Sequence, residues 1–548
     1  MFDQRSIRRR PLERFVTRHG ARIVGILSGL DRMLFRGTLR SISYVDGLDK
    51  FLSSQHVLYK DFSAYVPRLS ERLKTHAIAV AAEAGRPYEY IASAPVRKED
   101  VARAIAERDG VTEGVVCVLA CVEPCRSFTI RRDRDAKRLR LVSGDRKCRH
   151  LYVYDVDRDF GRMHIRLQTW LPLTIQVCVN GRAWLARQLA RAGVAVTQVD
   201  NGFTAIADGP RAQTVADDLI DWPWEQWLRR LGHRVNPWVD PKAGLFYDDY
   251  WTVRQREFAT DVMFRDAASL QAVYPRLLRH GIEMFHSEDV WRFLGHRPSA
   301  GLTREVQSDL QRRPEGVRIK HGVHENSITM YDKAGRLLRI ETTINNPDRF
   351  KVRRENATHP LTWLPLRKGI ADMRRRAAIG RAANAPYLDA LSVVGESTPS
   401  HHLLDPVSQR VVRDGRPSRA LRPISPHEAP LLRTILRGEF LIHGFTNRDV
   451  RTLWDPDAGT DPVRRRQASA RVTRHLRLLR AHGLIKNVPR THAYRVTDKG
   501  EAVMSTAITF RDSDIALVAA GLLVMKTTFQ TFVVQRACRR RFGGVGLP

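Results

Sequence analysis

Three groups of residues have the types and the spacing that chemistry uses. The first is Tyr331-Asp332-Lys333 followed by Leu338-Arg339-Ile340-Glu341. Alternate residues of a strand project from the same face, so Tyr331, Arg339 and Glu341 can share one surface across a hairpin. A tyrosine hydroxyl beside a carboxylate that holds a divalent cation is an arrangement for attack on a phosphodiester. The plainer reading is a polar sheet face with an Arg339–Glu341 ion pair. The second group is Cys121, Cys125, Cys148 and His150, which could supply zinc with the thiolates and imidazole of a tetrahedral site. There is no Cys-x-x-Cys knuckle, and buried cysteines also serve as small hydrophobes. The third is a run of base. Between Asp461 and Arg495 ten Arg and Lys residues face Asp461 alone, a balance of +9. An even spread of the chain's +33 would leave roughly +2 there.

Within that run Arg464, Arg465, Arg466, Ser469, Arg471, Arg474 and His475 fall along one helix, and Arg490 falls at the tip of the turn that follows. These are candidate nucleic-acid contacts. Arg166 and Arg182, interleaved with Gln168, Trp170, Gln176 and Asn180, are candidates for stacking and hydrogen bonding to unpaired bases. The elements around the basic run have a definite order. Ala429 to Leu436 reads as a helix, and Thr446 caps a second that runs to Trp454. The third carries Val472, Leu476 and Leu479 as one apolar stripe that leaves Ser469, Arg471, Arg474 and His475 largely off it. Leu484 to Val488 and Ala493 to Val496 follow as a hairpin. In its "HLRLLRAHGLI" (His475 to Ile485) and "YRVTDKG" (Tyr494 to Gly500) segments this region resembles winged helix-turn-helix proteins of the MarR type. The resemblance covers about 85 residues and implies docking on duplex DNA, with the third helix in the major groove and the basic tip on phosphates. The Tyr331 and Glu341 strands resemble the "YDK … LRxE" strands of phage and plasmid rolling-circle replication initiators. That resemblance implies strand nicking and joining, with Tyr331 as nucleophile and Glu341 as metal ligand. The His-hydrophobic-His metal motif of many such enzymes is missing.

Length, 548 residues, calls for about three or four cores. The texture reads as α+β and multidomain. Residues 1–110 form a basic, mainly helical region in which Leu34 to Arg40 is a short strand or turn, and 111–235 an α+β domain of hairpins. Residues 236–300 are helical from Tyr250 onward, and 301–395 hold a β-meander and a basic helix. A linker over 396–426, the winged helix-turn-helix over 427–511 and an apolar then basic tail over 512–548 complete the chain. No internal repeat is visible. Ile515 to Met525 is too short to cross a bilayer, which takes about 20 apolar residues, so no membrane span is expected. Six unevenly spaced cysteines and a start without an apolar run fit a reducing cytoplasm.

With 92 Lys and Arg against 59 Asp and Glu, a polyanionic partner is expected, duplex DNA ahead of RNA and a membrane surface the main rival. A GC-rich genome would also inflate Arg content. Phosphate-binding Gly-x-x-x-x-Gly-Lys loops, Gly-x-Ser-x-Gly elbows and His-Glu-x-x-His zinc helices are missing, which removes P-loop motors, serine hydrolases of that type and zincin proteases. The leading expectation is a cytoplasmic, bacterial, nucleic-acid-binding protein of mobile-element or replication-associated kind. The alternatives are a strand-nicking and joining enzyme that uses Tyr331 and a structured-RNA binder that uses the Arg166 to Arg182 strands. Zinc or another divalent cation is compatible with the sequence but not required by it, and a homodimer is left open.

Overall fold

The computed structural model describes residues 13–512 except 93–94, 240–248, 296–305, 314–315, 357–358, 393, 395–399, 414, 438–439, 442–443, 456–460 and 490. The chain forms two compact units, 1–395 and 396–548. It mixes helices with one large sheet, an α+β composition.

The first unit is organised by an eleven-stranded sheet. Its strands are β1 (Ile23–Leu39), β2 (Tyr88–Tyr90), β3 (Gly114–Asp133), β4 (Arg138–Asp157), β5 (Gly161–Gln168) and β6 (Ile175–Asn180). After a separate hairpin, β7 (Val196–Val199) and β8 (Gly202–Ile206), come β9 (Asp249–Phe264), β10 (Gln307–Arg313), β11 (Gly316–Val323), β12 (Asn326–Lys333) and β13 (Leu337–Ile344). Their order is β10-β11-β12-β13-β9-β1-β6-β5-β4-β3-β2. The helices are α1 (Glu13–His19), α2 (Val45–Ser54), α3 (Phe62–Glu83), α4 (Lys98–Arg108), α5 (Gly181–Arg191), α6 (Gly209–Asp218), α7 (Trp224–Val235), α8 (Ala267–Gln271), α9 (Tyr274–Glu283), α10 (Ser287–Phe293) and α11 (Met373–Leu391). A small hairpin, β14 (Lys351–Asn356) and β15 (His359–Pro365), precedes α11.

Local chemistry explains the turns that matter. Asp157 accepts the backbone N–H groups of Asp159 and Phe160 and so tightens the β4–β5 turn. The Asn180 side chain accepts from the backbone N–H groups of Arg182 and Ala183 and starts α5 where β6 ends. On β5, Met163, Ile165 and Leu167 are buried and Arg162 is exposed, the alternation of a sheet with one packed face. The main core combines these residues with Leu69 and Leu73 of α3, Trp184 and Leu185 of α5, and Trp224 and Trp227 of α7.

The strand order is symmetric about the β1–β9 pair. β1 is followed by helices and then the meander β3–β6, whose last strand returns to pair with β1; β9 is followed by helices and then β10–β13, whose last strand returns to β9. Gly29 lies opposite Ala259 in this central pair. Two residues further along each strand stands an aspartate, Asp31 and Asp261, with Met33 and Met263 two beyond. The sequence shows no overt repeat, yet the strand order is duplicated about the β1–β9 pair.

Three expectations are corrected. Segments 1–110, 111–235, 236–300 and 301–395 are not separate domains, because each contributes strands to the one sheet. Leu34 to Leu39 belong to a 17-residue strand near the sheet's centre, and Arg40 begins the short helical turn after it. Tyr250 to Phe264 is β9 and not helix; its end, Phe258 to Phe264, is buried throughout, and a strand buried on both faces loses the two-residue alternation.

The second unit contains α12 (Ser400–Leu404), the hairpin β16 (Val411–Arg413) and β17 (Arg416–Ser418), then α13 (Ala429–Ile435), β18 (Phe445–Thr446), α14 (Asn447–Trp454), α15 (Pro462–Ala481), β19 (Ile485–Asn487), β20 (Ala493–Val496) and α16 (Asp498–Asp512). Strands β18, β20 and β19 form a three-stranded sheet. Thr446 and Asp449 form a reciprocal capping box at the start of α14. Val472, Leu476 and Leu479 of α15 are buried against Leu432, Ile435, Val450 and Val503. The expected linker is corrected here: Val407 and Leu421 are buried in this same core, and Arg419 pairs with Glu428 at 2.7 Å. Arg490, the expected tip contact, and the apolar run from Ile515 to Met525 lie outside the described residues. Among the described residues no helix is long and apolar enough to cross a membrane.

Candidate active site on the central sheet

β12 and β13 are antiparallel neighbours in which Tyr331 pairs with Arg339 and Thr329 with Glu341. This register sets Tyr331 diagonal to Glu341, and the tyrosine hydroxyl donates to Glu341 Oε2 at 3.0 Å. Arg339 makes no pair with Glu341. It is fully buried and bridges two aspartates, with Nε 2.5 Å from Asp261 Oδ1, Nη2 2.9 Å from Asp261 Oδ2 and Nη1 2.8 Å from Asp31 Oδ2. Arg182 adds an ion pair to Asp261 at 3.1 Å, and the Asn201 amide holds both Asp31 oxygens at 3.1 Å.

Asp31 sits where β1 bulges between Leu30 and Met33. A bulge re-aims side chains. Here Asp31 approaches Glu257 of β9 and Glu341 of β13, with one oxygen from each of the three within 4.8 Å of the others. Burial, then the neighbouring Glu341 and Asp31 charges, pushes Glu257 up to about 8. Burial and Asp31 raise Glu341 as well. Burial, followed by Glu341, raises Tyr331, which therefore keeps its proton at neutral pH and presents it to Glu341. Three crowded carboxylates, of which Glu257 and Glu341 are raised, are a set of hard oxygen donors whose repulsion a divalent cation would relieve. Asp31 and Glu257 escaped the sequence reading, because only the pairing of β1 and β9 with β13 brings them to Glu341.

Beyond this cluster one face of β1 and β9 is basic. Arg32, Arg40 and Arg254 are exposed while Met33, Phe35 and Val253 are buried. Burial, and then the nearness of Arg254 and Arg166, lowers Arg36, whose buried Nε has no hydrogen-bond partner. Arg40 stacks on Tyr250 at 4.2 Å. Arg166 is half-buried, with Nη2 2.8 Å from Glu123 and Nη1 3.2 Å from Gln176. Arg182 is corrected as a nucleic-acid contact: with no exposure, and its charge committed to Asp261, it cannot reach a ligand.

On β3 and β4 the cysteine group is brought together in part. Cys125 Sγ and Cys148 Sγ are 3.2 Å apart, and Cys148 Sγ lies 4.0 Å from His150 Nδ1. Cys121 is outside this cluster, with its thiol directed to Glu123 Oε1 at 3.4 Å. Of the four, the structure gathers Cys125, Cys148 and His150; Cys121, although it pairs with His150 across the ladder, turns its thiol to Glu123 instead. Burial, then Arg166, lowers His150 to about 4, which keeps the imidazole neutral.

In the second unit Arg464, Arg465, Arg466, Arg471 and Arg474 are exposed on α15. Ser469 is half-buried and donates to Asn447 Oδ1 at 3.0 Å, while His475 packs edge-on against Trp454. These two residues fasten α15 to α14, which leaves the arginines as its outward chemistry. Comparisons of the chain with protein-family models, with curated proteins and with solved structures return no match.

Proposed function

We propose that this protein nicks and rejoins a DNA strand, with Tyr331 as nucleophile, and that its second unit docks on duplex DNA as a winged helix. The observation that carries the reading is the Tyr331 hydroxyl 3.0 Å from a glutamate that belongs to a cluster of three carboxylates. Tyr331 transfers its proton to Glu341 as its oxygen bonds to phosphorus. The bond from phosphorus to the leaving strand oxygen breaks, which leaves a phosphotyrosine and a strand end that takes up a proton from water as its hydroxyl. The same hydroxyl, or that of another strand, reverses the step and releases Tyr331. Asp31, Glu257 and Glu341 would hold a divalent cation, which supplies charge neutralisation at the phosphate. Arg339 and Asn201 position Asp31. The basic face of Arg32, Arg36, Arg40 and Arg254 suits a phosphodiester backbone that leads to the tyrosine.

The test is a labelled single-stranded and supercoiled DNA substrate with Mg²⁺ or Mn²⁺, resolved on a denaturing gel. A covalent protein–DNA adduct that disappears in Tyr331→Phe, with a rate loss on the order of 10³-fold or more, is expected. Full activity in Tyr331→Phe, or cleavage with no adduct, removes Tyr331 from the reaction. Stronger competition by folded RNA than by duplex DNA at fixed salt would favour the RNA-binding reading.

A further inference from the structure

We propose that Cys125, Cys148 and His150 form a zinc site at the far end of the sheet from Tyr331, with its fourth position taken by water. The three residues lie on one face of the β3–β4 ladder, in which Cys148 pairs with Glu123, His150 with Cys121 and Cys125 with Arg146. Alternate positions on each strand therefore aim the two thiols and the imidazole at a common point. One ligand atom from each falls within 4.8 Å of the others. With bonds of about 2.3 Å to sulfur and about 2.0–2.1 Å to nitrogen, a tetrahedral zinc needs about 3.8 Å between sulfurs and about 3.6 Å between sulfur and nitrogen. The separations of 3.2 Å between the sulfurs and 4.0 Å from Cys148 Sγ to His150 Nδ1 lie to either side, within a side-chain rotation of those values.

The imidazole fixes which nitrogen is offered. His150 is fully buried, and the nitrogen that faces the thiols is Nδ1, 4.0 Å from Cys148 Sγ and 3.2 Å from the Cys148 carbonyl oxygen. With Nδ1 as ligand, the ring proton sits on Nε2. The shell is in keeping with this. Glu123, whose carboxylate is held by Lys98, Tyr152 and Arg166, offsets the arginine beside the thiols. A disulfide is the poorer use of the same cysteines, because diagonal neighbours on adjacent strands stand further apart than the directly opposed residues a disulfide bridges.

The test is the metal content of the full chain, purified without chelator and measured by inductively coupled plasma mass spectrometry. About one equivalent of zinc is expected, and exchange for Co²⁺ should give a sulfur-to-cobalt charge-transfer band. Cys148→Ser and His150→Ala should lose the zinc, and the less buried Cys125→Ser provides a milder substitution if those two fail to fold. Cys121→Ser should retain the full equivalent. Zinc retained in Cys125→Ser, zinc absent from the folded wild-type chain supplied with Zn²⁺, or a Cys125–Cys148 disulfide found in the protein as purified would each overturn the assignment.

Discussion

Cation binding at the three-carboxylate cluster should depend steeply on pH, with Glu257 setting the dependence. Glu257 is held protonated up to about 8 by burial and by Glu341 on β13 and Asp31 on β1, with Arg32 and Gln255 acting in the opposite sense. A hard cation binds the ionised form, so a proton must leave when the cation enters. At pH 6, two units below the value of about 8, roughly one chain in 100 has Glu257 ionised. Apparent affinity for Mn²⁺ should therefore be about 100-fold weaker at pH 6 than well above pH 8, about 3 kcal/mol, and should change about tenfold per unit between. Isothermal calorimetry in buffers of different ionisation enthalpy reads both the affinity and the protons released, close to one per cation at pH 6 and falling above pH 8. The stability of the cation-free protein runs the other way. Because the folded-state value lies above the ordinary carboxylate value of 4.5, this group's contribution is complete below about pH 4.5 and is lost as pH rises through about 8. Saturating Mn²⁺ should restore stability at pH 9, and Glu257→Gln should flatten both profiles. An affinity that stays constant from pH 6 to 8 with no proton release would refute the reasoning.

Arg339→Met leaves Asp31 and Asp261 almost fully buried with much of their counter-charge gone, and should cost about 3–5 kcal/mol in chemical denaturation; a change below about 1 kcal/mol would mean that the network does not hold the sheet's centre. Thr446→Ala removes the capping box of α14 and should destabilise the second unit by about 1 kcal/mol, visible as an earlier melting step in the full chain. Arg474→Ala should weaken binding at a preferred duplex site by about 1–3 kcal/mol if it reads a base, while Arg464→Ala should weaken all sequences alike and reduce the salt slope by about one. Unchanged affinity in both would remove α15 as the DNA contact.

The residues differ in how far local sequence could reach them. Tyr331 and Glu341 were legible because ten residues and one tight turn separate them, and a two-residue period fixes their common face. The same holds for the β3–β6 hairpins, for the Thr446 cap and for the Val472, Leu476 and Leu479 stripe, each set by neighbours within a turn or a hairpin. Asp31 and Glu257 meet Glu341 only because β1, β9 and β13 are adjacent in the sheet, and strand pairing between distant segments leaves no periodic mark. Burial on both faces erased the alternation of Phe258 to Phe264, so the strand that unites the first unit read as helix. Arg182 looked like a surface contact because an arginine after a polar strand end usually is one; its partner, Asp261, lies 79 residues away and draws it into the core. The duplicated strand order was hidden for a related reason, since it is a property of pairing between distant segments. Sequence by itself determined faces, caps, turns and the basic character of the chain, all short-range matters of period and charge. Tertiary structure alone decided which faces meet, and through that which carboxylates crowd together, which arginine is buried, and which three of four candidate zinc ligands come within reach of one another.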